Sequence, residues 1–287
     1  MRYMKKFKLL YITTFFCFYF GTAITRKAFS QNNTYEIYAL KFGERTNKIP
    51  VSDAAVGASG SDSLNVCFMY WLLKGNGKTI LVDAGFKDDA EINPKFITYE
   101  QPDKMLEKIN IKPADITDII ITHPHWDHIG GIDLYPGAHV WMQKEDYEYF
   151  VGAAWQEGGS NGGFNKKDVL KVVQRNLDKK LTLVAGDDIE ILPGIKVFTG
   201  SKHTYESQYV LVNSGADKVI IASDNAWFYY NLISLLPVPV TLDASAYSKN
   251  LKRMKSMVNN VDLIIPGHDP LVFSKFPSVA NGVVKIK

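Results

Sequence analysis

Three of the chain's six histidines fall within six consecutive positions, and no other feature constrains the fold and the chemistry as strongly. This cluster lies in Thr122–Gly131 and consists of His123, His125, Asp127 and His128. The β-branched run Ile119–Ile121 directly before it is typical of a buried strand. Imidazole nitrogens and carboxylate oxygens are ligands of zinc-like metals, so the cluster predicts a metal site at a strand end. A polar loop that happens to be rich in histidine is the alternative, and spacing alone does not exclude it.

Three later polar residues also stand where apolar runs end, namely His203, Asp224 and His268. Any one of them alone would more often be a core or loop residue. Together with the first cluster they offer five histidines and two aspartates, which is enough for two metals with an open coordination position. His139 has no such neighbours, and we interpret it as structural.

The remaining apolar runs predict strands and helices in both halves of the chain. Two strand-rich halves that each contain helices favour two sheets packed face to face with helices outside, although spacing does not settle the topology. Leu64–Leu73 and Val261–Pro266 are each predicted to be one continuous strand. Asn76-Gly77 predicts a tight hairpin turn after the first of these.

The motif His123-x-His125-x-Asp127-His128, followed in order by His203, Asp224 and His268, resembles the metallo-β-lactamase superfamily. The similarity extends from about Tyr35 to His268 and includes Ile80–Gly85. It implies an α+β fold, a four-layered αβ/βα sandwich with the site at one edge between the sheets. The resemblance also implies the ligand sets. His123, His125 and His203 would bind one metal, Asp127, His128 and His268 the other, and Asp224 would bridge both. Asp83 would support the ligands without binding a metal itself.

Such a site would bind two divalent metal ions, and zinc is the expected metal. Two cations about 3.5–4 Å apart can hold one hydroxide between them, lower its pKa and polarise a carbonyl or phosphoryl oxygen. Hydrolysis of an ester, lactone, amide or phosphoester is therefore the natural reaction class. Asp127 is the expected catalytic residue, because it could take the nucleophile's proton and pass it to the leaving oxygen.

Within the superfamily, the chain resembles the N-acyl homoserine lactonases. The matching stretches are His123–Gly131, Met142–Tyr147, Leu192–Ile195 and Ser248–Val258. This resemblance implies a hydrolase that opens the lactone ring of acyl homoserine lactones and so quenches cell-density signals. Other lactones, aryl esters and organophosphates are alternative substrates, and a non-catalytic metal-binding protein is the alternative of a different class.

The residues that contact the substrate are less constrained by the sequence. Many lactonases place a tyrosine three residues after the bridging aspartate, but here the position is Trp227, with Tyr229 nearby. Trp126 inside the motif is expected to line the pocket, with plain packing as the alternative. We interpret residues 152–180 as a lid that places Trp155 and Phe164 over an acyl chain; a solvent-exposed insertion is equally compatible.

The first 30 residues have the order of a secretory signal peptide. Basic residues precede the apolar stretch Leu9–Ile24, and small residues follow at Ala28–Ser30. Cleavage after Ser30, or alternatively after Ala23, would leave residues 31–287 as the hydrolase domain. We therefore expect an exported protein, periplasmic or secreted, with no stable membrane association after cleavage. A retained N-terminal anchor is the alternative.

The formal net charge of +3 belongs to this N-terminal segment. Residues 1–30 contain six of the 33 basic residues and no acidic residue, so 27 basic residues face 30 acidic ones in the rest and the net charge becomes −3. A nucleic-acid partner is therefore not expected. Neither the acyl-chain preference nor the choice between a monomer and a homodimer follows from the sequence.

Overall fold

The apolar runs form strands that are buried on both faces. In the strand Cys67–Gly75, Met69 and Trp71 pack into one hydrophobic core, whereas the intervening Tyr70 and Leu72 pack into another. Side chains alternate between the faces of a sheet, so a strand covered on both faces is continuously apolar. This is why these runs show no polar alternation in the sequence.

The structure is a computed structural model, and it describes residues 33–87 and 96–287. The expected signal peptide lies outside the described residues and stays a prediction. Asn32–Lys287 form one compact unit. Among the described residues, no helix combines the length and apolar character needed to cross a membrane.

Nine strands form the larger sheet: β1 (Glu36–Arg45), β4 (Cys67–Gly75), β5 (Lys78–Val82), β6 (Phe96–Tyr99), β7 (Asp118–Ile120), β8 (His139–Gln143), β9 (Leu181–Val184), β15 (Ser278–Ala280) and β16 (Val283–Lys285). Their order is β15-β16-β1-β4-β5-β7-β8-β9, and β6 also pairs with β1. From β5 to β9 the neighbours run parallel. The turn between β4 and β5 has positive φ at Asn76 (51°) and Gly77 (71°), so the predicted hairpin is confirmed.

Five strands form the smaller sheet, in the order β10 (Ile189–Leu192), β11 (Ile195–Thr199), β12 (Gln208–Ser214), β13 (Asp217–Ser223) and β14 (Ile264–Pro266). The pair β13–β14 is parallel, and the other pairs are antiparallel. A separate two-stranded ladder joins β2 (Ile49–Pro50) to β3 (Ser63–Leu64).

The helices are α1 (Pro102–Glu107), α2 (Trp126–Ile129), α3 (Lys144–Val151), α4 (Lys166–Leu177), α5 (Tyr229–Ser234), α6 (Ala244–Met257) and α7 (Val272–Lys275). Buried residues of α1, α3 and α4 share a core with one face of the larger sheet. The other face of that sheet shares its core with the smaller sheet and with α6. The expected α+β sandwich of helix, sheet, sheet and helix layers is confirmed.

Two predicted strands differ in their bounds. Leu64–Leu73 is interrupted, because Leu64 ends β3 while β4 begins at Cys67. In Val261–Pro266 only the second half is a strand; Val261–Leu263 is a 3-10 turn, because the Asn260 side chain accepts a hydrogen bond from the Asp262 backbone N–H (2.9 Å). The C-terminal hairpin β15–β16, which completes the edge of the larger sheet beside β1, was not predicted.

The loop that follows the histidine motif is held by one buried guanidinium. Arg175 in α4 donates hydrogen bonds of 2.6–3.1 Å to four backbone carbonyls, those of Ile132, Tyr135, Pro136 and Ala138. Buried carbonyl groups without a partner are costly, so this side chain connects α4 to the chain leaving the motif. The second half of the 152–180 segment is thereby part of the packed domain.

We expect Arg175→Met to lower the free energy of unfolding by about 2–4 kcal/mol, because the four carbonyls lose a charged donor. Arg253→Met is the matched control: Arg253 pairs with Asp187 on the surface, and its loss should cost at most about 1 kcal/mol. Urea unfolding followed by circular dichroism measures both. Equal losses of unfolding free energy in the two variants would contradict a stabilising function of the hydrogen bonds from Arg175 to the four carbonyls.

Candidate metal centre

The predicted ligands come together because they follow parallel strands. Asp83 follows β5, and His123 follows β7 after Ile121 and Thr122. Asp224 follows β13, and His268 follows β14 after Gly267. Parallel strands end at the same edge of a sheet, so each pair of residues emerges at one edge. Since the two sheets pack face to face, all four positions meet there.

The first group contains His123, His125, His203 and Asp224, all of them largely buried. His125 Nδ1 lies 3.1 Å from His123 Nε2 and 3.1 Å from His203 Nε2. Asp224 Oδ2 lies 3.2 Å from His203 Nε2. One ligand-type atom from each residue thus converges on a common point, within 4.8 Å of the others.

The second group contains Asp127, His128 and His268. His128 Nε2 lies 3.3 Å from Asp127 Oδ2, and His268 Nε2 lies 3.7 Å from the same oxygen. The other oxygen of Asp224, Oδ1, lies 3.0 Å from His268 Nε2 and 3.3 Å from His128 Nε2. Asp224 therefore turns one oxygen toward each group, which is the arrangement of a bridging carboxylate.

Hydrogen bonds on the far side of each ring orient four of the histidines. His203 Nδ1 donates to the Val240 carbonyl (2.5 Å) and His268 Nδ1 to the Cys67 carbonyl (2.9 Å). His123 Nδ1 contacts Thr122 Oγ1 at 3.0 Å. His128 Nδ1 donates to Asp83 Oδ2 (2.8 Å). With Nδ1 engaged, Nε2 is left as the ligand atom of His123, His128, His203 and His268.

His125 turns the opposite nitrogen, Nδ1, toward the group, and the backbone of Gly163 lies close to its ring. A Cβ at position 163 would lie 2.8 Å from His125 Nε2, and the φ of +79° also favours glycine. The Gly163 carbonyl accepts a hydrogen bond from the Trp126 backbone N–H (2.9 Å). The first half of the 152–180 segment therefore lies directly on a candidate ligand.

Asp83 lies behind both groups and is fully buried. Its Oδ2 accepts hydrogen bonds from His128 Nδ1 (2.8 Å), Thr122 Oγ1 (2.9 Å) and Ser223 Oγ (2.9 Å). Its Oδ1 accepts from the Thr122 backbone N–H (2.8 Å). Asp83 is thus placed to orient His128 rather than to bind a metal.

Burial is the largest influence on the pKa values in this cluster. It lowers the pKa of His125 to about 3, and His203 acts in the same direction. Burial also lowers the pKa of His128, but the carboxylates of Asp127, Asp224 and Asp83 outweigh it and hold that pKa well above its ordinary value. For Asp224, burial raises the pKa, yet His268 and His128 bring it well below its usual range. Asp224 is thus ionised beside positive charge, which bound cations would supply.

Two divalent cations fit the residues that are present. His128 Nε2 and Asp224 Oδ1 are buried, point into the cluster and have no hydrogen-bond partner among the described residues. Buried polar atoms without partners are rare and need an explanation, and metal coordination provides one. Five imidazoles and two carboxylates are also the donor types that zinc takes.

Residues of both groups line a cavity of about 470 Å³, namely His125, His203 and Asp224 of the first and Asp127 and His268 of the second. Trp126 and Trp227 line it, whereas Trp155, Phe164 and Tyr229 are not among its lining residues. Phe164 packs on the His125 ring with a centroid distance of 5.6 Å, and the Trp155 indole donates to the Phe150 carbonyl (2.6 Å). Tyr229 packs into the hydrophobic core instead. It is the first residue of α5, and its backbone N–H donates to Asp269 Oδ2 (2.9 Å).

Trp227 differs from the tyrosine that lactonases often carry at this position. Its indole N–H donates to Asp224 Oδ2 at 2.7 Å, so it supports the bridging carboxylate. Other residues that line the cavity, among them Arg45, Phe68 and Val240, were not predicted from the sequence. They come from segments distant in the chain, and no motif marks them. His139 is remote from the cluster and bonds to Thr182, as expected of a structural residue.

Comparisons with known proteins agree with this geometry. The family model described as the metallo-beta-lactamase superfamily matches residues 66–268. An N-acyl homoserine lactonase of Bacillus cereus is 25% identical over 222 residues, which cover 72% of this chain and 82% of that protein. A solved quorum-quenching N-acyl homoserine lactone lactonase has a TM-score of 0.69 at 21% identity and covers 87% of this chain and 98% of its own. A solved dizinc quorum-quenching lactonase in complex with a product has a TM-score of 0.65 at 17% identity. The match covers 89% of this chain and 98% of the lactonase.

The chain belongs to the metallo-β-lactamase superfamily, because the match covers well over half of its length. It is accordingly a metallo-hydrolase of that superfamily and is related to the N-acyl homoserine lactonases. The resemblance read from the histidine motif is confirmed.

Asp83→Asn should weaken zinc binding about 10- to 100-fold, because His128 loses the carboxylate that orients it. Asp118→Asn is the matched control: Asp118 is equally buried, but it lies at the start of β7 and pairs with Lys78 and Trp141. Competition with a chromophoric chelator measures the affinities. If Asp118→Asn weakened zinc binding as much as Asp83→Asn, the effect would be general destabilisation.

Proposed function

We propose that this protein is a dinuclear metal-dependent hydrolase that opens the lactone ring of N-acyl homoserine lactones. The observation that carries the proposal is the shared carboxylate of Asp224, with one oxygen in each ligand group, at the wall of an apolar cavity. The relatives named as acyl homoserine lactonases support the choice of substrate.

Seven residues would hold the metals, and we propose zinc for both positions. His123, His125 and His203 would bind one ion, Asp127, His128 and His268 the other, and Asp224 both. When bound, the two ions supply Lewis acidity, which polarises the lactone carbonyl and lowers the pKa of water. The dizinc lactonase among the solved structures supports the choice of metal.

Asp127 is the proposed proton carrier. It lines the cavity and is the carboxylate of the cluster that belongs to one ligand group only. In ring opening, water adds to the lactone carbonyl carbon and the ring C–O bond breaks, leaving a carboxylate and a hydroxyl group. Asp127 would take the proton of the attacking water and return it to the departing ring oxygen.

The cavity suits an acyl chain. Ile49, Val66, Phe68, Phe228 and Val240 contribute apolar walls next to the metal ligands. Burying hydrocarbon against such walls provides affinity, and the polar groups at one end orient the reacting carbonyl. The aromatic walls Phe68, Trp126 and Trp227 also suit an aryl group, which makes aryl esters and aryl organophosphates the second candidate substrates.

The substrate class is tested by assaying the zinc-loaded protein with N-hexanoyl homoserine lactone and with a chromogenic phosphotriester, each with and without chelator. We expect the lactone to be opened with the higher kcat/KM and the activity to disappear with chelator, because the ligands alone supply no Lewis acid. A phosphotriester rate that equals or exceeds the lactone rate would favour the second candidate. No turnover at full zinc occupancy would favour a non-catalytic metal-binding protein.

Asp224→Ala should lose metal from both positions and at least about 100-fold in kcat/KM, because each ligand group loses an oxygen. Asp217→Ala is the control, since Asp217 begins the same strand β13 and pairs with Lys287. Zinc content by plasma mass spectrometry and the lactone assay give the two readouts. Retention of two zinc ions per chain with full activity would refute the bridging function.

A further inference from the structure

The cavity contains one cation that the proposed reaction does not use. Arg45, the last residue of β1, is exposed to solvent and lines the cavity together with Asp127 and Asp224. Within residues 33–87 and 96–287, its guanidinium makes no hydrogen bond, ion pair or ring contact. It is also the only ionisable lining residue, among those that the structure describes, outside the candidate metal ligands.

The backbone ties Arg45 to the metal centre. Its N–H donates to the Val66 carbonyl (2.9 Å). Cys67, which follows Val66, is hydrogen-bonded to His268 through both its backbone N–H and its carbonyl. In that pair, the Cys67 N–H donates to the His268 carbonyl (3.0 Å), and His268 Nδ1 donates to the Cys67 carbonyl (2.9 Å). The backbone of Arg45 is therefore held by the segment Val66–Cys67, which also orients a candidate ligand.

The surroundings of Arg45 define what it can bind. Apart from the ligands, the cavity is lined mainly by apolar side chains and glycines, with Ser160 adding a hydroxyl. A plain hydrocarbon chain that covered the guanidinium would remove it from water without giving it a partner, which is unfavourable. A carboxylate would instead accept two parallel hydrogen bonds from the guanidinium and balance its single charge.

We propose that Arg45 binds a carboxylate at the far end of the substrate's acyl group. This inference rests on the proposed function: the metal centre receives the lactone, and Arg45 receives the end of the acyl chain. The preferred substrates are then acyl homoserine lactones whose chain ends in a carboxylate, and Arg45 determines that specificity.

Two lactones with acyl chains of equal carbon number test the proposal, N-(5-carboxypentanoyl) and N-hexanoyl homoserine lactone. The zinc-loaded wild-type protein should open the first with at least about a tenfold higher kcat/KM, mainly through a lower KM. Arg45→Gln should reduce this preference about tenfold. Lys48→Gln, which removes an exposed cation from the loop that follows Arg45 but not from the cavity lining, should leave the preference within about twofold.

Two kinetic results would overturn the proposal: a wild-type preference for the hexanoyl lactone, or equal loss of both activities in Arg45→Gln. If neither lactone is opened at full zinc occupancy, the proposed function fails. Calorimetry with the lactam analogue of the carboxypentanoyl lactone, in which an amide replaces the ring ester, then tests whether Arg45 binds the carboxylate. At least about tenfold weaker lactam binding by Arg45→Gln than by wild type supports the carboxylate site. Equal binding refutes it.

Discussion

One buried carboxylate connects the two sheets at the edge where the metal centre lies. Asp83 follows β5 of the larger sheet and accepts hydrogen bonds from Thr122 after β7 and from Ser223 at the end of β13 in the smaller sheet. Asp83 and Ser223 both have left-handed backbone conformations, with φ of 61° and 48°, which cost non-glycine residues about 1–2 kcal/mol each. The hydrogen-bond network offsets this strain, and it directs His128 into the site.

The electrostatics of the cluster follow from placing carboxylates and imidazoles together out of water. Asp224 is shared between two groups of histidines, and its neighbours hold its pKa well below the ordinary value despite burial. The same carboxylates keep the pKa of His128 well above its ordinary value. Such a cluster is stable only when its negative charge is balanced, and two bound divalent cations balance it with the ligand types that zinc prefers.

The chemistry and the specificity come from different parts of the fold. The candidate ligands lie just after strands or at the short helix α2, where neighbouring strands restrict their motion, except for His203, which lies in the loop between β11 and β12. The cavity walls come from connecting segments, including the Gly163 loop that packs on His125 and the residues that follow β1. Substitutions in these segments can change the substrate while the metal ligands stay in place, which is consistent with one superfamily site serving many reactions.

The sequence by itself determined which residues are candidate metal ligands and, through the resemblance carried by their motif, which layers to expect. Four ligand-type residues within six positions after an apolar strand are a local signal, and strands buried on both faces leave continuous apolar runs. The strand before the motif, predicted at Ile119–Ile121, is therefore found at Asp118–Ile120, and the superfamily was recognised from its motif. Only the tertiary structure decided which oxygen of Asp224 faces which histidines, that Tyr229 lies in the core, that Trp227 holds Asp224, and that Arg45 borders the cavity. These facts depend on how distant segments pack against each other, and contacts between distant segments leave no periodic pattern in a single sequence.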